Sequence, residues 1–260
     1  MTSGPLDREF GGLRVLVTGG TRGLGAAIAH RLESAGARVV VAARTPGTGT
    51  PAGHFIAADL TTADGPRELA AAALDHLGGV DILVDNAGAQ TRVPGGILAM
   101  TDDEWLTDLS GSLLSAVRLD REIVPDMITR GRGVVIHVGS NAARWPQPAA
   151  VAYAAAKAAL HTYSKGLAGQ VAGQGIRVNV VSPGVIETSG LTRRLHELAE
   201  RSGGDIDAAR AEFAETFHIP TGRPGGASEV AELVAFLASD RAAYITGTVQ
   251  VIDGGVLPTL

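Results

Sequence analysis

Short apolar runs alternate along the chain with longer, alanine-rich segments. The runs are rich in valine and isoleucine and are apolar at successive positions, which is typical of strands covered on both faces. Seven such runs lie at 14–17, 39–41, 54–57, 82–84, 134–138, 177–181 and 248–252. Their alternation with helical segments predicts an α/β fold with a doubly wound parallel sheet and helices on both faces.

The segments between these runs carry helix signals. Helices are expected over about 23–35 and 64–77, and a capping box at Thr101 and Glu104 leads into a further helix expected to cover 107–127. The segment 187–223 is rich in charge and has helical stretches at 191–201 and 206–217. We interpret it as a lid over a pocket, within a single domain that spans 13–260. The polar residues 1–12 are expected to form a loose N-terminal tail.

Composition narrows the class of protein. With 45% hydrophobic and 19% charged residues among 260, the chain is globular rather than disordered. It has no cysteine, which excludes disulfides, a thiolate nucleophile and a cysteine-ligated metal, and we expect no metal site. The net charge of −5 gives no attraction to nucleic acid or to an anionic membrane. Neither a membrane-spanning run nor a signal peptide is visible, so a cytoplasmic location is expected.

A glycine-rich turn follows the first predicted strand. Glycines at this place let the backbone turn tightly and approach a pyrophosphate, whose charge the next helix favours. The spacing is Gly-x-x-x-Gly-x-Gly rather than the usual Gly-x-Gly-x-x-Gly, so a plain turn is the alternative. The candidate cofactor residues here are Gly19, Thr21, Arg22, Gly23, Leu24 and Gly25.

The end of the second strand bears on which dinucleotide is bound. An acidic residue there would bond a ribose 2′-hydroxyl and favour NAD. The chain has Arg44 instead, and Arg22 lies in the glycine turn. Two guanidinium groups can hold a 2′-phosphate, which favours NADP(H) over NAD(H). The alternative is two surface arginines in an arginine-rich chain.

Tyr153 and Lys157 lie four residues apart in an alanine-rich segment. Such a spacing puts both on one helix face, where a cation can lower the pKa of a phenol and make it a general acid or base. Lys157 is one of only two lysines, so the pairing is notable. Ser140 follows the fifth strand, at the sheet edge where ligands bind, and can bond a substrate carbonyl; a turn residue is the alternative.

Taken in order, these pieces resemble the short-chain dehydrogenase/reductase family over about 12–255. The resemblance implies a Rossmann-type domain with a seven-stranded sheet, a homotetramer or else a dimer, and hydride exchange between NAD(P) and a carbonyl or alcohol. The matching pieces are the turn from Thr18 to Gly25, Asp59-Leu60, Asn86-Ala87-Gly88, Ser140, Tyr153 with Lys157, Ser182-Pro183-Gly184 with Thr188, and Ile252-Asp253-Gly254-Gly255.

The resemblance also implies roles for single residues. Tyr153 would pass the proton, Lys157 would lower its pKa and hold the nicotinamide ribose, and Ser140 would position the substrate oxygen. Asp59 would lie by the adenine and Thr188 near the carboxamide. The positions that the resemblance places along the cofactor are Asp59, Leu60, Asn86, Ala87, Gly88, Tyr153, Lys157, Pro183, Gly184, Ile186 and Thr188.

Two positions depart from the family pattern. The family usually reads Asn-Asn-Ala-Gly where this chain begins with Asp85, which we interpret as a structural variant. The family's fourth catalytic residue is an asparagine whose carbonyl helps to hold a water between the lysine and solvent. That position falls on Ser112. Ser112 is therefore the fourth catalytic candidate: either it holds the water after a small shift, with slower redox activity, or the proton route is altered.

The substrate pocket should be lined from the loops at the same sheet edge. Its candidate residues are Gln90, Asn141, Arg144, Trp145 and Val185. Trp145 suggests a broad apolar wall, and Arg144 could meet an anionic or phenolic group, unless it is surface decoration. A bulky secondary metabolite, such as a polyketide-derived ketone, is the substrate class that we expect.

Three functions remain open on the sequence. The first is an NADPH-dependent ketoreductase or alcohol dehydrogenase. The second is an epimerase, dehydratase or cyclase on the same scaffold, with Tyr153 as acid or base; the Ser112 change motivates it. The third is a non-catalytic dinucleotide-binding protein, against which Ser140, Tyr153 and Lys157 argue, because a pure binder needs no acid–base pair.

Overall fold

The structure is a computed structural model that describes residues 8–47, 54–201 and 204–258. Seven strands form one parallel sheet in the order β3-β2-β1-β4-β5-β6-β9. The strands of this sheet are β1 (Arg14–Thr18), β2 (Arg38–Ala43), β3 (His54–Ala57), β4 (Ile82–Asp85), β5 (Gly133–Val138), β6 (Ile176–Pro183) and β9 (Val249–Ile252). A two-residue pairing joins β7 (Ile186–Glu187) to β8 (Gly225–Gly226).

The strand order reverses between β1 and β4. Val15 of β1 pairs with Val39 of β2 on one side and with Ile82 of β4 on the other. This reversal leaves a crevice at the carboxyl ends of the strands, where open α/β sheets bind ligands. The predicted doubly wound parallel sheet is confirmed, in a single α/β domain.

The described residues form eight helices, and α1, α2, α4 and α8 are among those that pack on the two faces of the sheet. Alternate strand residues point to opposite faces, so Val15 packs with α1 and α8 whereas Leu16 packs with α2 and α4. Each buried aliphatic side chain contributes about 1.5–3 kcal/mol, which makes these two cores the main stabilisation of the sheet. The helices are α1 (Gly23–Ser34), α2 (Gly65–Leu77), α3 (Asp102–Leu109), α4 (Ser115–Arg130), α5 (Val151–Val171), α6 (Ser189–Arg201), α7 (Ile206–Thr216) and α8 (Ala227–Ala238).

The N-terminal segment differs from the expected loose tail. Residues 1–7 of that tail lie outside the described part, but the prediction is wrong for 8–12. Phe10 is fully buried in the core beside α1, and its amide donates to the Ala35 carbonyl at 2.9 Å. Glu9 pairs with Arg241 at 2.7 Å. The buried aromatic side chain, the backbone hydrogen bond and the ion pair together hold this segment on the domain.

The helix predicted over 107–127 is not continuous. It is divided by a π-helical turn, Ser110–Leu114, which joins α3 to α4. Such a turn widens the helix by one residue and is often found at functional sites. It carries Ser112, so the backbone geometry at the departure from the family pattern is itself irregular.

The charged segment 187–223 contains α6 and α7, close to the two predicted helical stretches. It is attached to the body by β7, where Glu187 forms a two-pronged ion pair with Arg210 of α7, both contacts at 3.0 Å. Within the segment, Leu195 of α6 and Phe213 of α7 are buried. Its role as a lid stays a prediction. Among the described residues, no helix has the length and apolarity that crossing a membrane requires.

Candidate active site

The crevice begins where β1 and β4 end side by side. The Thr18 hydroxyl accepts hydrogen bonds from the backbone amides of Asn86 and Ala87, each at 3.0 Å. The Asn86 side-chain amide donates back to the Thr18 carbonyl at 2.9 Å and the Gly19 carbonyl at 3.4 Å. Asn86 therefore fixes the path of the glycine turn from the neighbouring strand.

Glycine is required at two positions of that turn. Gly19 has φ of +64°, a left-handed conformation that other residues rarely adopt. At Gly25 an added Cβ would collide with the Gly19 carbonyl oxygen, so helix α1 can approach the turn only without a side chain there. The N-cap of α1 is Arg22, whose side chain makes no capping hydrogen bond in the described structure. The first amides of α1 are thus available for an anion such as a pyrophosphate.

The side of the crevice beyond β2 carries Arg44 and Asp59. Arg44 is exposed and follows β2 directly. Asp59 accepts hydrogen bonds from the Thr61 hydroxyl at 2.7 Å and the Thr61 amide at 3.0 Å. These bonds, with a smaller effect from Arg44, lower the pKa of Asp59, so it is an anion at neutral pH. Leu60 is buried just behind it.

The β6 end supplies the opposite wall. Pro183 ends β6, and the Gly184 amide donates to the Ile252 carbonyl at 2.9 Å. Thr188 lies across from the glycine turn: its Cγ2 is 3.5 Å from the position that a Cβ on Gly23 would occupy. The structure therefore brings the candidate cofactor residues that follow β1, β4 and β6 to one edge of the sheet, and their binding of a cofactor stays a prediction.

Tyr153 lies in the first turn of α5 and its hydroxyl is hydrogen-bonded to Ser140. Ser140 follows β5 and caps a short 3₁₀ turn, because its Oγ accepts from the Ala142 amide at 3.1 Å. Burial raises the pKa of Tyr153, which the Ser140 hydrogen bond partly offsets. Tyr153 is thus protonated at neutral pH.

Lys157 lies one turn further along α5 and is 3% exposed. Its Nζ donates to the Val138 carbonyl at 2.7 Å and is 5.8 Å from the centre of the Tyr153 ring. Burial lowers the pKa of Lys157 to about 8, against the opposing effect of Asp85. Burial and the nearby Asp108 raise the pKa of Tyr153 in this structure, and the effect of Lys157 on that pKa stays a prediction.

Ser112 is held by the segment after Asn86-Ala87-Gly88. Its hydroxyl donates to the Ala89 carbonyl at 2.8 Å and accepts from the Ala89 amide at 3.1 Å. A hydroxyl has one hydrogen and two lone pairs, so one lone pair is left. A Cβ on Gly88 would be 3.4 Å from Ser112 Oγ and 3.6 Å from Lys157 Nζ, which places both side chains behind that glycine.

A family model described as enoyl-(acyl carrier protein) reductase matches residues 19–257. The 3-oxoacyl-[acyl-carrier-protein] reductase of Escherichia coli is 37% identical over 255 residues, covering 95% of this chain and 98% of the relative. Its counterpart in Mycobacterium avium is 36% identical, covering 93% of this chain and 89% of the relative.

Solved structures of two oxidoreductases are also similar to this chain. The L-sorbose reductase from Gluconobacter frateurii, complexed with NADPH and L-sorbose, has a TM-score of 0.87 and 32% identity and covers 98% of this chain and 100% of its own. The aldohexose dehydrogenase of Thermoplasma acidophilum has a TM-score of 0.84 and 28% identity, covering 97% and 98%. The chain belongs to the short-chain dehydrogenase/reductase family. It is therefore an oxidoreductase that acts on carbonyl or alcohol groups.

The predicted pocket residues of this dehydrogenase/reductase follow the carboxyl ends of β4, β5 and β6. Gln90, Arg144 and Trp145 are exposed, whereas Asn141 and Val185 are half-buried. The loop carrying Gln90 is tied to the segment before α5, because the Val93 amide donates to the Ala149 carbonyl at 3.0 Å. The structure thus places these five residues on loops at the carboxyl edge of the sheet.

Asp108 is a site residue that the sequence did not reveal. It is fully buried on α3, and its Oδ1 accepts from the Thr91 amide and the Thr91 hydroxyl, both at 2.9 Å. It also lies against the backbone amide of Tyr153, in the first turn of α5, and raises the pKa of the Tyr153 hydroxyl. Asp108 therefore joins the Gln90 loop to the catalytic helix. An acidic residue on an otherwise amphipathic helix gave no clear signal for this.

Proposed function

We propose that this short-chain dehydrogenase/reductase is an NADPH-dependent ketoreductase, with alcohol oxidation as the reverse reaction. The observation that carries the proposal is the Tyr153 hydroxyl hydrogen-bonded to Ser140 at the mouth of the crevice, with Lys157 buried behind it. Relatives named as 3-oxoacyl-carrier-protein reductases and a structure of an L-sorbose reductase with NADPH support it.

The crevice fits a dinucleotide. Gly19 and Gly25 allow the tight turn before α1, and the amides at the start of α1 that follow this turn suit a pyrophosphate. A nicotinamide cofactor supplies or accepts the hydride. Arg22 and Arg44 are the residues proposed to hold a 2′-phosphate, and the chain after Arg44 approaches the glycine turn, because a Cβ on Gly47 would collide with the Thr21 carbonyl oxygen. The proposed cofactor residues are Gly19, Thr21, Arg22, Gly23, Leu24, Gly25, Arg44, Asp59, Leu60, Asn86, Ala87, Gly88, Tyr153, Lys157, Pro183, Gly184, Ile186 and Thr188.

The catalytic residues of the chain bind the substrate oxygen and transfer a proton to it. Ser140 bonds the substrate oxygen, and the Tyr153 hydroxyl donates its proton to that oxygen as negative charge develops there. A raised pKa suits this direction, because it keeps Tyr153 protonated before the reaction. The Lys157 ammonium then offers positive charge to the phenolate and to the ribose hydroxyls. Ser112 holds the Ala89 backbone behind Lys157 and completes the set.

A ketone on a bulky, largely apolar framework is the substrate class proposed for the pocket of Gln90, Asn141, Arg144, Trp145 and Val185. The rim offers apolar surface: Trp145 is 46% exposed and Leu98 is 97% exposed. The segments carrying Leu98 and preceding α5 contact each other, so this surface lies on the Tyr153 side. Exposed apolar side chains mark a binding surface where they form a contiguous patch, as we propose for Trp145 and Leu98.

A homotetramer remains a proposal for the assembly. The β9 edge of the sheet exposes Val249 and Val251 by 39% and 38%, and the nearby Tyr244 is fully exposed. An apolar open edge favours pairing with a second copy. Light scattering of the purified chain would show four subunits; a monomer at micromolar concentration would contradict the proposal.

The test of function is NADPH oxidation by the purified chain against three ketone classes: a 3-oxoacyl thioester, a ketose sugar and a bulky cyclic ketone. We expect oxidation of NADPH in preference to NADH with the bulky ketone. The Arg22→Ala/Arg44→Ala double variant should weaken NADPH binding by about 100-fold or more, since charged hydrogen bonds contribute about 1.5–3 kcal/mol each, while NADH binding stays constant. Equal use of both cofactors would refute the NADPH assignment.

The alternative function, an epimerase, dehydratase or cyclase without net redox change, has one supporting observation. The Ser112 hydroxyl already forms two hydrogen bonds with the Ala89 backbone. If the serine merely weakens an ordinary proton relay, the Ser112→Asn variant should reduce ketones faster than the parent. NADPH that binds tightly and is never consumed, together with Tyr153-dependent formation of an isomerised or dehydrated product, would instead establish the alternative.

A further inference from the structure

Three residues on consecutive turns of α5 lie against the chain where β5 ends. Tyr153 is hydrogen-bonded to Ser140, and Lys157 Nζ donates to the Val138 carbonyl at 2.7 Å. The third residue, His161, follows Lys157 by four positions and so lies on the same face of the helix. Tyr153 and Lys157 belong to the site already described, whereas His161 has no role there.

His161 contacts Gly139, the residue between Val138 and Ser140. A Cβ placed on Gly139 would lie 2.2 Å from His161 Nε2 and 3.0 Å from His161 Cδ2, so the edge of the imidazole packs directly on the glycine backbone. The other near atom is Val180 Cγ1 of β6, at 2.8 Å. The φ of Gly139 is not in the left-handed region. Neighbouring side chains, and not the backbone conformation, therefore require glycine here.

Gly139 determines where Ser140 leaves the sheet. Its amide donates to the Val181 carbonyl at 2.7 Å, which extends the pairing of β5 with β6 by one hydrogen bond. Ser140 then turns away from the sheet, and its Oγ accepts from the Ala142 amide at 3.1 Å. Because the Gly139 backbone is bonded to β6 and packed against a ring, the start of this turn has little freedom. The position of Ser140 Oγ therefore depends on the ring of His161.

The His161 ring makes this contact as an uncharged group. Burial lowers the pKa of His161 to about 4, and Lys157, Arg144 and His137 act in the same direction. Its Nε2 is buried and has no hydrogen-bond partner among the described residues. A buried nitrogen without a partner costs stability and is uncommon in proteins. The contact that the structure gives this edge of the ring is steric, against Gly139.

We propose that His161 is a positioning residue that acts through Gly139: its ring fills the space beside the glycine and so holds Ser140 Oγ where it can bond the substrate oxygen. This inference rests on the proposed function, in which Ser140 binds that oxygen. Protein interiors are close-packed, so a smaller side chain at 161 leaves a gap beneath the turn, and a larger one at 139 pushes the turn away from the ring.

The first experiment needs neither cofactor nor substrate, because it observes Tyr153, the hydrogen-bond partner of Ser140. The chain has three tyrosines, so labelling tyrosine with 13C at Cζ gives three signals, and Tyr153→Phe identifies one of them. The Ser140 hydrogen bond lowers the pKa of Tyr153. In His161→Ala the Tyr153 signal should therefore shift at neutral pH, and its ionisation should move to higher pH. Tyr244, which is fully exposed, is the internal control.

Paired substitutions test the contact itself. Gly139→Ala alone should displace the Tyr153 signal, because the new Cβ collides with the ring. In Gly139→Ala/His161→Ala the new methyl group occupies space that the ring has left, so the signal should return towards its parent position. The remaining short contact, with Val180 Cγ1, makes this recovery partial. Gly139→Ala/Val180→Ala is the matched control: it keeps the collision with the ring and should not recover.

Kinetics provide the second measurement. In His161→Ala, kcat for ketone reduction should fall about tenfold or more, since a misplacement of about 1 Å can cost about 100-fold, while the Kd of NADPH stays constant. His161→Gln keeps an uncharged side chain of similar reach and should retain most of the activity. Thr162→Ala, at the exposed next position of α5, should change neither kcat nor the Tyr153 signal.

The inference is overturned if His161→Ala leaves the Tyr153 signal at its parent position, even where urea unfolding shows a loss of stability, because His161 would then only pack α5. It is also overturned if the Gly139→Ala/His161→Ala variant is impaired as much as the two single variants together. Where Gly139→Ala alone fails to fold, recovery of folding and of the parent signal in the double variant decides in the same way. A shifted and compensated signal in a protein that reduces no ketone would refute the proposed function and leave the role of His161 standing.

Discussion

The two halves of the crevice differ in the chemical groups that line them. The half at β1 and β4, which we call the cofactor half, consists of backbone, glycine and two neutral side chains, Thr18 and Asn86, that form hydrogen bonds with the backbone. The half under α5, which we call the catalytic half, contains buried ionisable groups, among them Asp108 and Lys157. Shape determines what the first half can bind. In the second half, function depends on which groups carry a proton.

This difference predicts opposite responses to perturbation. The half that binds by shape should lose binding when a new side chain fills its space, and its binding should not depend on pH. A half built on buried charge tolerates isosteric changes of shape but changes with pH and with the sign of a neighbouring charge. Each of the following measurements perturbs one half and asks whether the other is affected.

The largest effect is expected for Tyr153→Phe. Loss of a general acid typically lowers a rate by about 10²–10⁴-fold, so kcat should fall in that range while the Kd of NADPH changes little. Stopped-flow turnover and fluorescence titration of the cofactor check the two parts. Tyr244→Phe, at a fully exposed tyrosine, is the matched control and should keep full activity. Full activity in Tyr153→Phe would show that the catalytic half does not supply the proton for the reaction.

Gly25→Val should have the next largest effect, on the cofactor half. The new side chain collides with the Gly19 carbonyl and disrupts the turn, so NADPH binding should weaken by about 100-fold or more, and stability should fall by about 1–3 kcal/mol, as for overpacking. The control is Gly166→Ala on α5, where no atom lies within 4 Å of the new Cβ. It should be neutral or stabilising by up to about 1 kcal/mol. Calorimetry with and without NADPH distinguishes binding from folding.

The pH dependence should separate activity from stability. The pKa of Lys157 falls from its ordinary 10.5 to about 8, so above pH 8 the folded protein loses a proton that the unfolded chain keeps. Ketone reduction should then decline about tenfold per pH unit above pH 8, as the ammonium is lost. Stability should respond with the opposite sign: between pH 8 and 10.5 the Lys157 contribution to the free energy of unfolding rises.

Urea unfolding of the parent protein and of Lys157→Met across this pH window isolates that contribution as a difference. In Lys157→Met, the Kd of NADPH should not change with pH over the same window, because the glycine turn of the cofactor half contains no group that titrates there. A parallel fall of stability and activity in the parent would show that the alkaline limit is unfolding rather than titration.

Asp108→Asn should have the smallest effect. The amide keeps the acceptor for Thr91 but removes the charge that raises the pKa of Tyr153, so that pKa should fall slightly. Weakening of charge-assisted hydrogen bonds by about 1 kcal/mol should raise KM for the ketone about fivefold, with unchanged NADPH affinity. Steady-state kinetics with both substrates varied measures this. A change in NADPH affinity would show that the two halves are mechanically coupled.

The sequence by itself determined the sheet, its parallel strands and the location of the cofactor half. Apolar runs such as 82–84 and the glycines of the first turn act through local backbone geometry, which the residue order alone expresses. The pairing of Tyr153 with Lys157 was also visible, because a helix places residues four apart on one face.

Tertiary structure decided what no local pattern contains. Phe10, in a polar stretch, is anchored by a core built from distant elements. Ser112 lies in a π-helical turn, where a continuous helix was expected. Asp85, Asp120 and His137 come from two strands and a helix, and burial together with Asp120 raises the pKa of Asp85. Electrostatic interactions depend on distance in space and on exclusion of water, neither of which the order of residues specifies.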